Sequence, residues 1–221
     1  MELIDFFTRK VEAEANTAYM SSKGIYDAQT IQQYISTIIA IPFGDYLGFI
    51  KADPLSPFVL SSDVHQFSNI DAAIDRICDA LSSNGFRGYK FEEIGELLQP
   101  GKTTDIVANK KYGENHVKTA SDLGLCFINN GRYYLSPIGF ELCSLTSYQK
   151  DQLIARLALR NNFVYTALHK ALQGTEVDIS DEISFLSEST VKRRKNNCLI
   201  MCRLIQRNRD INVEDLLSQI K

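Results

Sequence analysis

The clearest hydrophobic pattern lies in the middle of the chain. Ile70, Ala73, Ile74, Ile77, Cys78 and Leu81 follow the i, i+3, i+4, i+7 spacing of one buried helix face. This predicts a helix over 70–81, ended by Gly85. Phe91 to Leu98 reads as a short second helix, stopped by Pro100-Gly101, and Asn109 to Asp122 as a third, capped by Gly124. Cys126–Ile128 and Tyr133–Leu135 read as two strands. Asn129-Asn130-Gly131 between them suits a hairpin turn, because Asn and Gly accept positive φ. A closing helical turn follows over 138–145.

The flanks are patterned differently. Between Ala28 and Ile39 the apolar positions Ile31, Tyr34, Ile35, Ile38 and Ile39 predict a helix whose other faces carry Gln29, Thr30, Gln32 and Gln33 but no basic residue. Asp45–Ile50 then reads as a helix end, a stop at Gly48 and a first strand, followed by a turn-rich stretch and a second strand over Ser56–Ser61. Leu47 and Leu60 stand thirteen apart there, against twelve for Leu123 and Leu135 in the middle segment. The likeness is open to two readings, an internal duplication or two ordinary hairpins. Toward the C-terminus, 149–172 reads as one long amphipathic helix ended by Gly174, with Leu153, Leu157, Phe163, Val164, Leu168 and Leu172 apolar. Ser180 is placed to cap a short helix over 181–185. Ser187 opens a helix to about Gln206, and Ile211-Asn212-Val213 reads as a residual strand.

Helix, helix, helix, strand, turn, strand over 70–145 is the layout of a winged helix-turn-helix. Leu-Gly-Leu at 123–125, the Asn-Asn-Gly tip and Tyr-Tyr-Leu-Ser-Pro-Ile-Gly at 133–139 resemble the endings of many bacterial winged-helix proteins. This likeness covers about a third of the chain. Leu186-Ser187-Glu188-Ser189-Thr190-Val191-Lys192-Arg193-Arg194 resembles a Leu-Ser-x-Ser-Thr-Val/Ile-x-Arg-Arg pattern of winged-helix modules in bacterial restriction and anti-phage proteins. Those modules follow it with a Trp that this chain lacks. The resemblance implies a mainly α fold with small β wings (α+β), built as tandem winged helix-turn-helix domains. Residues 70–145 would form one and 146–221 a second with a reduced wing. Residues 1–69 would form a degenerate winged-helix-like or partner-binding module.

Composition sets the outer bounds. The chain has 221 residues, 44% hydrophobic and 23% charged, a globular balance rather than a disordered one. The net charge of -3 argues against a wholly basic DNA coat. Its distribution matters more: residues 1–69 carry -4, 70–145 carry -2 and 146–221 carry +3. An anionic partner is therefore expected in the C-terminal third. Five cysteines, an odd number with no CxxC pair, indicate a reducing compartment without a disulfide framework, and Cys198 and Cys202, four apart on an expected helix, read as buried core thiols rather than as two metal ligands. No run approaches the roughly 20 apolar residues that span a bilayer. Acidic residues occupy the N-terminus where a signal peptide needs basic ones. The expected localisation is cytoplasmic.

The helix from Ser187 carries the functional expectation. From 187 to 209 there are seven basic residues and one acidic, Glu188. Val191, Cys198, Cys202 and Ile205 share one face at 100° per residue, and Lys192, Arg193, Asn196, Asn197 and Arg203 point away from it. Arg and Lys suit the acceptor edge of guanine, and Asn pairs with adenine. Lys192, Arg193, Asn196 and Asn197 are thus expected to contact bases. Arg194, Lys195 and Arg203 are expected on phosphates, and Ser187, Ser189 and Thr190 offer a phosphate seat at the helix start. The plainer alternative is a solvated basic stripe.

The helix over 109–122, with Lys110, Lys111, Asn115, His116, Lys118 and Thr119, is a second candidate. Lys102, Thr103 and Thr104 stand just before it, and Arg132 falls at the expected wing tip. Lys110, Lys111, Lys118 and Arg132 are expected to touch the DNA backbone. The N-terminal third, rich in Tyr and Phe from Phe43 to Phe67, suits a protein partner or a homodimer.

Enzyme signatures do not stand out. There is no P-loop, Rossmann glycine pattern, HExxH or GxSxG, and His65, His116 and His169 lie far apart. A metal-dependent nuclease would draw on Asp45, Asp53, Asp63 or Asp105 with Lys110 and Lys111. None has the spacing such sites use. The expected function is binding of double-stranded DNA with no catalysis, cofactor or metal of its own. The alternatives are the DNA-recognition part of a restriction or defence system, or a protein–protein scaffold.

Overall fold

The computed structural model describes residues 2–66, 70–102 and 105–221. Its helices are α1 (Leu3–Phe7), α2 (Lys10–Ser21), α3 (Ala28–Ala40), α4 (Phe43–Ala52), α5 (Ile70–Ser82), α6 (Phe91–Leu98) and α7 (Ile106–Asp122), followed by strands β1 (Cys126–Asn129) and β2 (Arg132–Leu135). Then come α8 (Pro137–Ser144), α9 (Ser147–Ala158), α10 (Asn162–Leu172), α11 (Ile179–Glu182), α12 (Glu188–Arg203), a 3-10 turn (Leu204–Arg207) and α13 (Glu214–Ser218). The fold is mainly helical with one small two-stranded antiparallel sheet. Among the described residues no single helix is long and apolar enough to cross a membrane.

The chain divides into two compact units, each made of two separate stretches. Unit one comprises Met1–Ser36 and Asn69–Thr146; unit two comprises Thr37–Ser68 and Ser147–Lys221. The stretch 1–69 is thus shared between the units and does not stand as a module of its own. The division falls within α3.

In unit one, the elements expected from 70 onward form nearly where the pattern puts them. Ile70, Ala73, Ile74, Ile77, Cys78 and Leu81 are all buried along α5. The third helix starts at Ile106 rather than Asn109, because the Asp105 carboxylate caps it by accepting from the Val107 N–H at 2.8 Å. The hairpin pairs Cys126 with Leu135 and Asn129 with Arg132. Asn130 (φ 49) and Gly131 (φ 72) both take the left-handed turn that the Asn-Gly pair permits. Tyr89, between α5 and α6, adds an antiparallel bridge to Tyr133 through N–H···O bonds of 2.9 and 2.8 Å. Two glycines set the crossing of α6 and α7. A Cβ on Gly95 would lie 2.0 Å from the Asn109 carbonyl oxygen, and one on Gly113 would lie 2.0 Å from that of Phe91. The helices therefore meet backbone to backbone.

Unit two departs from the sequence reading in several places. Gly48 does not stop a helix and no strand follows it. Phe43, Tyr46, Leu47 and Ile50 are buried at i, i+3, i+4 and i+7, and they make α4 after Pro42. Residues 56–61 form no strand either, so the second hairpin, and with it the duplication, is not present. The long helix over 149–172 is two helices. Asn161 interrupts it by accepting from the Val164 N–H at 3.0 Å, which starts α10. The short helix after Gly174 is capped by Asp178, not Ser180, and runs over Ile179–Glu182. Residues 211–213 form no wing strand. Instead Val177 bridges Ile220 in parallel, with Val177 N–H on the Gln219 carbonyl at 2.8 Å.

At the centre of unit two lies Arg156 of α9, with no exposed surface. Its guanidinium donates to the Ile39 and Ile41 carbonyls at 3.0 and 2.9 Å and to the Asp210 carboxylate at 2.6 Å. Asp210 also accepts from the Phe43 N–H at 3.1 Å. The Phe43 and Tyr46 rings each lie 5.6 Å from the guanidinium carbon, so apolar and cationic contacts close the same joint.

Two outcomes follow for unit one. Gly113→Ala should lower its unfolding free energy by about 2 kcal/mol or more, since the clashing atom is backbone and cannot swing aside. Urea unfolding measures this directly. The second concerns His116, which is buried on α7. Burial pulls its pKa below the ordinary 6.5, and Arg76 adds to this, while acceptance by the Tyr112 carbonyl works the other way. The folded state thus binds the proton less readily than the unfolded chain. This contribution is intact above about pH 6.5 and is lost as pH falls toward the folded value. His116→Gln should flatten the fall in Tm between pH 7 and 5, measured by thermal melts.

Candidate nucleic-acid interface

The helix read as the DNA reader is α12. Ser187, in extended backbone, stands at its N-cap position, and its hydroxyl meets that of Thr190 at 2.8 Å. The two sides of the helix have different tasks. Ser189, Lys192, Arg193, Asn196 and Arg203 are exposed. Among the described residues Lys192, Arg193, Asn196 and Arg203 make no side-chain hydrogen bond or ion pair. At i, i+3, i+4 and i+7, Ser189, Lys192, Arg193 and Asn196 form a continuous polar stripe that presents two uncompensated cations.

Arg194 and Asn197 are not on that stripe, which corrects their expected roles. Arg194 is 9% exposed and donates to the Val64 carbonyl at 2.9 Å and the Ser61 carbonyl at 3.4 Å. Burial and the neighbouring Arg193 charge pull its pKa down. Asn197 is 3% exposed and donates to the His65 carbonyl at 3.2 Å. The reason is helical phase: 194, 197, 198, 201 and 202 share the inward face with the cysteines. Lys195 is half-buried and held by Asp178 at 3.2 Å. The Asp178 carboxyl lies below the usual range, chiefly because it accepts from the Ser180 N–H and then from Lys195.

Unit one offers less. Of the cations expected to touch DNA, Lys111 and Lys118 are bound to Glu114 at 3.5 and 2.6 Å. Arg132 is not free at the hairpin tip; it folds back to the Gly88 carbonyl at 2.9 Å and Glu93 at 3.1 Å. Lys110 alone of that set is exposed without a partner among the described residues. His116 and Thr119 are buried, Thr119 donating to the Asn115 carbonyl. Ile106 and Val107, at the front of α7, are 69% and 74% exposed. Thr103, Thr104 and Phe67 lie outside the described residues. Unit one carries eleven Lys and Arg against fifteen Asp and Glu, unit two thirteen against twelve, so the nets are -4 and +1.

Cys198 and Cys202, four apart on α12, are both buried, and burial pushes the Cys198 thiol up to about 12. They are core groups, not ready thiolates. Among the described residues no set of three or more His, Cys, Asp or Glu is placed to hold a metal ion. What the sequence reading missed is a groove of about 420 Å³ in unit one, beside α6 and the front of α7. Its carboxylates come from Glu92 and Glu93, an ordinary acidic first turn in the sequence, and from Glu96 one turn on. No protein-family model matches the chain, and comparison with curated proteins and with solved structures gave no match.

The split of α12 into two faces has a measurable consequence. Arg194→Ala should destabilise the protein by about 2 kcal/mol, because the buried Val64 carbonyl loses its donor and the packed side chain leaves a void. Arg193→Ala should change stability by no more than about 0.5 kcal/mol. Thermal unfolding of the two variants side by side distinguishes them.

Proposed function

We propose that this protein binds double-stranded DNA through the exposed stripe of α12. The observation that carries the proposal is the row Ser189, Lys192, Arg193 and Asn196: exposed, and in its three long members free of internal partners. A short helix, α11, precedes α12 across a turn, the order of a helix-turn-helix. In this reading the first turns of α12 enter the major groove. Lys192 and Arg193 meet guanine acceptors or phosphates, and Asn196 reads adenine. Arg203, further along the helix, steadies the backbone, and Ser187, Ser189 and Thr190 surround a phosphate at the helix start.

Unit one fits a winged helix-turn-helix in element order, with α5, α6 and α7 followed by the hairpin and Tyr89 bridged to it. Its contribution to DNA is reduced to Lys110. We propose it as a protein-binding module, a reading favoured by the exposed Ile106 and Val107 at the front of α7. The whole protein then acts in the cytoplasm as an adaptor that places a partner on DNA, without chemistry of its own.

Fluorescence anisotropy with a labelled random duplex tests the DNA reading. Binding should weaken linearly in log salt, with a slope of about -2 to -4 for the cations of α12 at ~0.9 per phosphate contact. Lys192→Ala with Arg193→Ala should remove roughly 1–3 kcal/mol per lost bidentate contact and flatten the slope. Lys195→Ala should have a smaller effect, since Asp178 already holds that charge. Undiminished affinity in the double variant would sink the assignment.

A further inference from the structure

The groove in unit one is walled by Arg87, Tyr89, Glu92, Glu93, Glu96, Leu97, Ile106 and Asn109. Its volume of about 420 Å³ is near the lower end for small-ligand sites. Most of its polar groups are already employed. Glu93 accepts from the Lys90 N–H, Arg87 and Arg132, at 2.8, 2.9 and 3.1 Å. Glu96 accepts from the Gly101 N–H at 3.1 Å and the Asn109 amide at 2.9 Å.

Two groups in the wall are not employed. Tyr89 is 1% exposed, and its hydroxyl has no hydrogen-bond partner among the described residues. Glu92 makes no hydrogen bond or ion pair among the described residues. A buried hydroxyl without a partner costs free energy, and folds rarely leave one unless something else completes it. Beside these two groups stand Leu97 and the exposed side chain of Ile106. Three carboxylates against one guanidinium leave the wall with a charge of -2. Arg87 already shows what such a wall attracts: its guanidinium lies 5.0 Å from the Tyr89 ring centre and pairs with Glu93.

We infer that this groove is a binding site for an ammonium or guanidinium group carried on an aliphatic stem. The stem lies along Leu97 and Ile106, and the cationic head bonds Glu92 and the Tyr89 hydroxyl. That chemistry has two sources, a small alkyl cation or a Lys or Arg side chain of a partner protein.

Amide chemical shifts of the isotope-labelled full chain provide the test. Butylguanidinium and butylammonium are titrated first, with butanol as the neutral control. A short blocked peptide with Arg between two Leu residues follows. Saturable shifts at Tyr89, Leu97 and Ile106 are expected from the cations and not from butanol. Glu92→Gln, which breaks no internal bond, should weaken binding about fivefold or more. Tyr89→Phe should also weaken binding while leaving Tm unchanged or raising it by a degree or more, because it removes only an unsatisfied group. Tighter binding of the peptide than of the small cations assigns the site to a protein partner; the reverse assigns it to a small molecule. Absence of saturable shifts with every cation overturns the inference, as does equal affinity in Glu92→Gln. No DNA is present in any arm, so this outcome is separate from the fate of the α12 proposal.

Discussion

A backbone carbonyl taken out of water must find a donor in the protein, or the fold loses the free energy of the missing bond. Unit two meets this requirement across a long gap in sequence. Its N-terminal stretch leaves carbonyls without helical partners at the end of α3 and in the irregular segment 61–65, of which 63–65 are buried. Its C-terminal stretch supplies the donors: Arg156 to Ile39 and Ile41, Asn161 to Asp63, Arg194 to Val64 and Ser61, and Asn197 to His65. A guanidinium suits this work because its five N–H groups fan out in a plane and can serve several oxygens at once. Asp210 offsets the charge of Arg156. The other elements of unit two, including the bend between α3 and α4 and the seating of α12, depend on these bonds.

This constraint also decides what α12 can offer to a partner. A helix with four basic residues in a row cannot aim them all outward, because successive side chains turn by about 100°. Arg194 points inward and is consumed by the loop. Lys195 is consumed by Asp178 at the start of α11. Lys192 and Arg193 remain, with Asn196 one turn on. The outward stripe is narrower than the charge count suggests, and it is rigidly held from behind. In unit one the same economy operates through acids: Glu114 takes Lys111 and Lys118, and Glu93 takes Arg87 and Arg132.

The middle of the chain was legible in its sequence because its signals are local. The period of α5, the Pro100-Gly101 stop and the Asn130-Gly131 turn each specify structure within a few residues. Unit two was less legible. Its 43–50 segment carries the helical period, Phe43, Tyr46, Leu47 and Ile50, but Gly44 and Gly48 and a nearby turn-rich stretch invite a hairpin reading. Asn161 looks like any polar residue in an amphipathic helix until its amide is seen serving both Val164 and Asp63. The inward roles of Arg194 and Asn197 depend on a loop some 130 residues away, and no local pattern reports such a partner. The groove beside α6 was hidden for a related reason. The crossing that shapes it relies on Gly95 and Gly113, two residues with no side chain to form a hydrophobic pattern.

The interleaving of the two units bears on how the chain is born. Residues 37–66 leave the ribosome early, yet α9, α10 and α12, which supply their partners, follow only after all of 69–146 has been made. At about 5–20 residues per second that interval lasts roughly 4–16 s. During it the Ile39 and Ile41 carbonyls lack the Arg156 donor and the Asp63, Val64 and His65 carbonyls lack Asn161, Arg194 and Asn197, whereas unit one gains its last segment as α8 emerges. Synthesis therefore passes through a stage in which one body is finished and the other is half a body, held as an unpaired insert in the first. Holdase chaperones act on segments of this kind, and slowed translation beyond residue 146 lengthens the exposure.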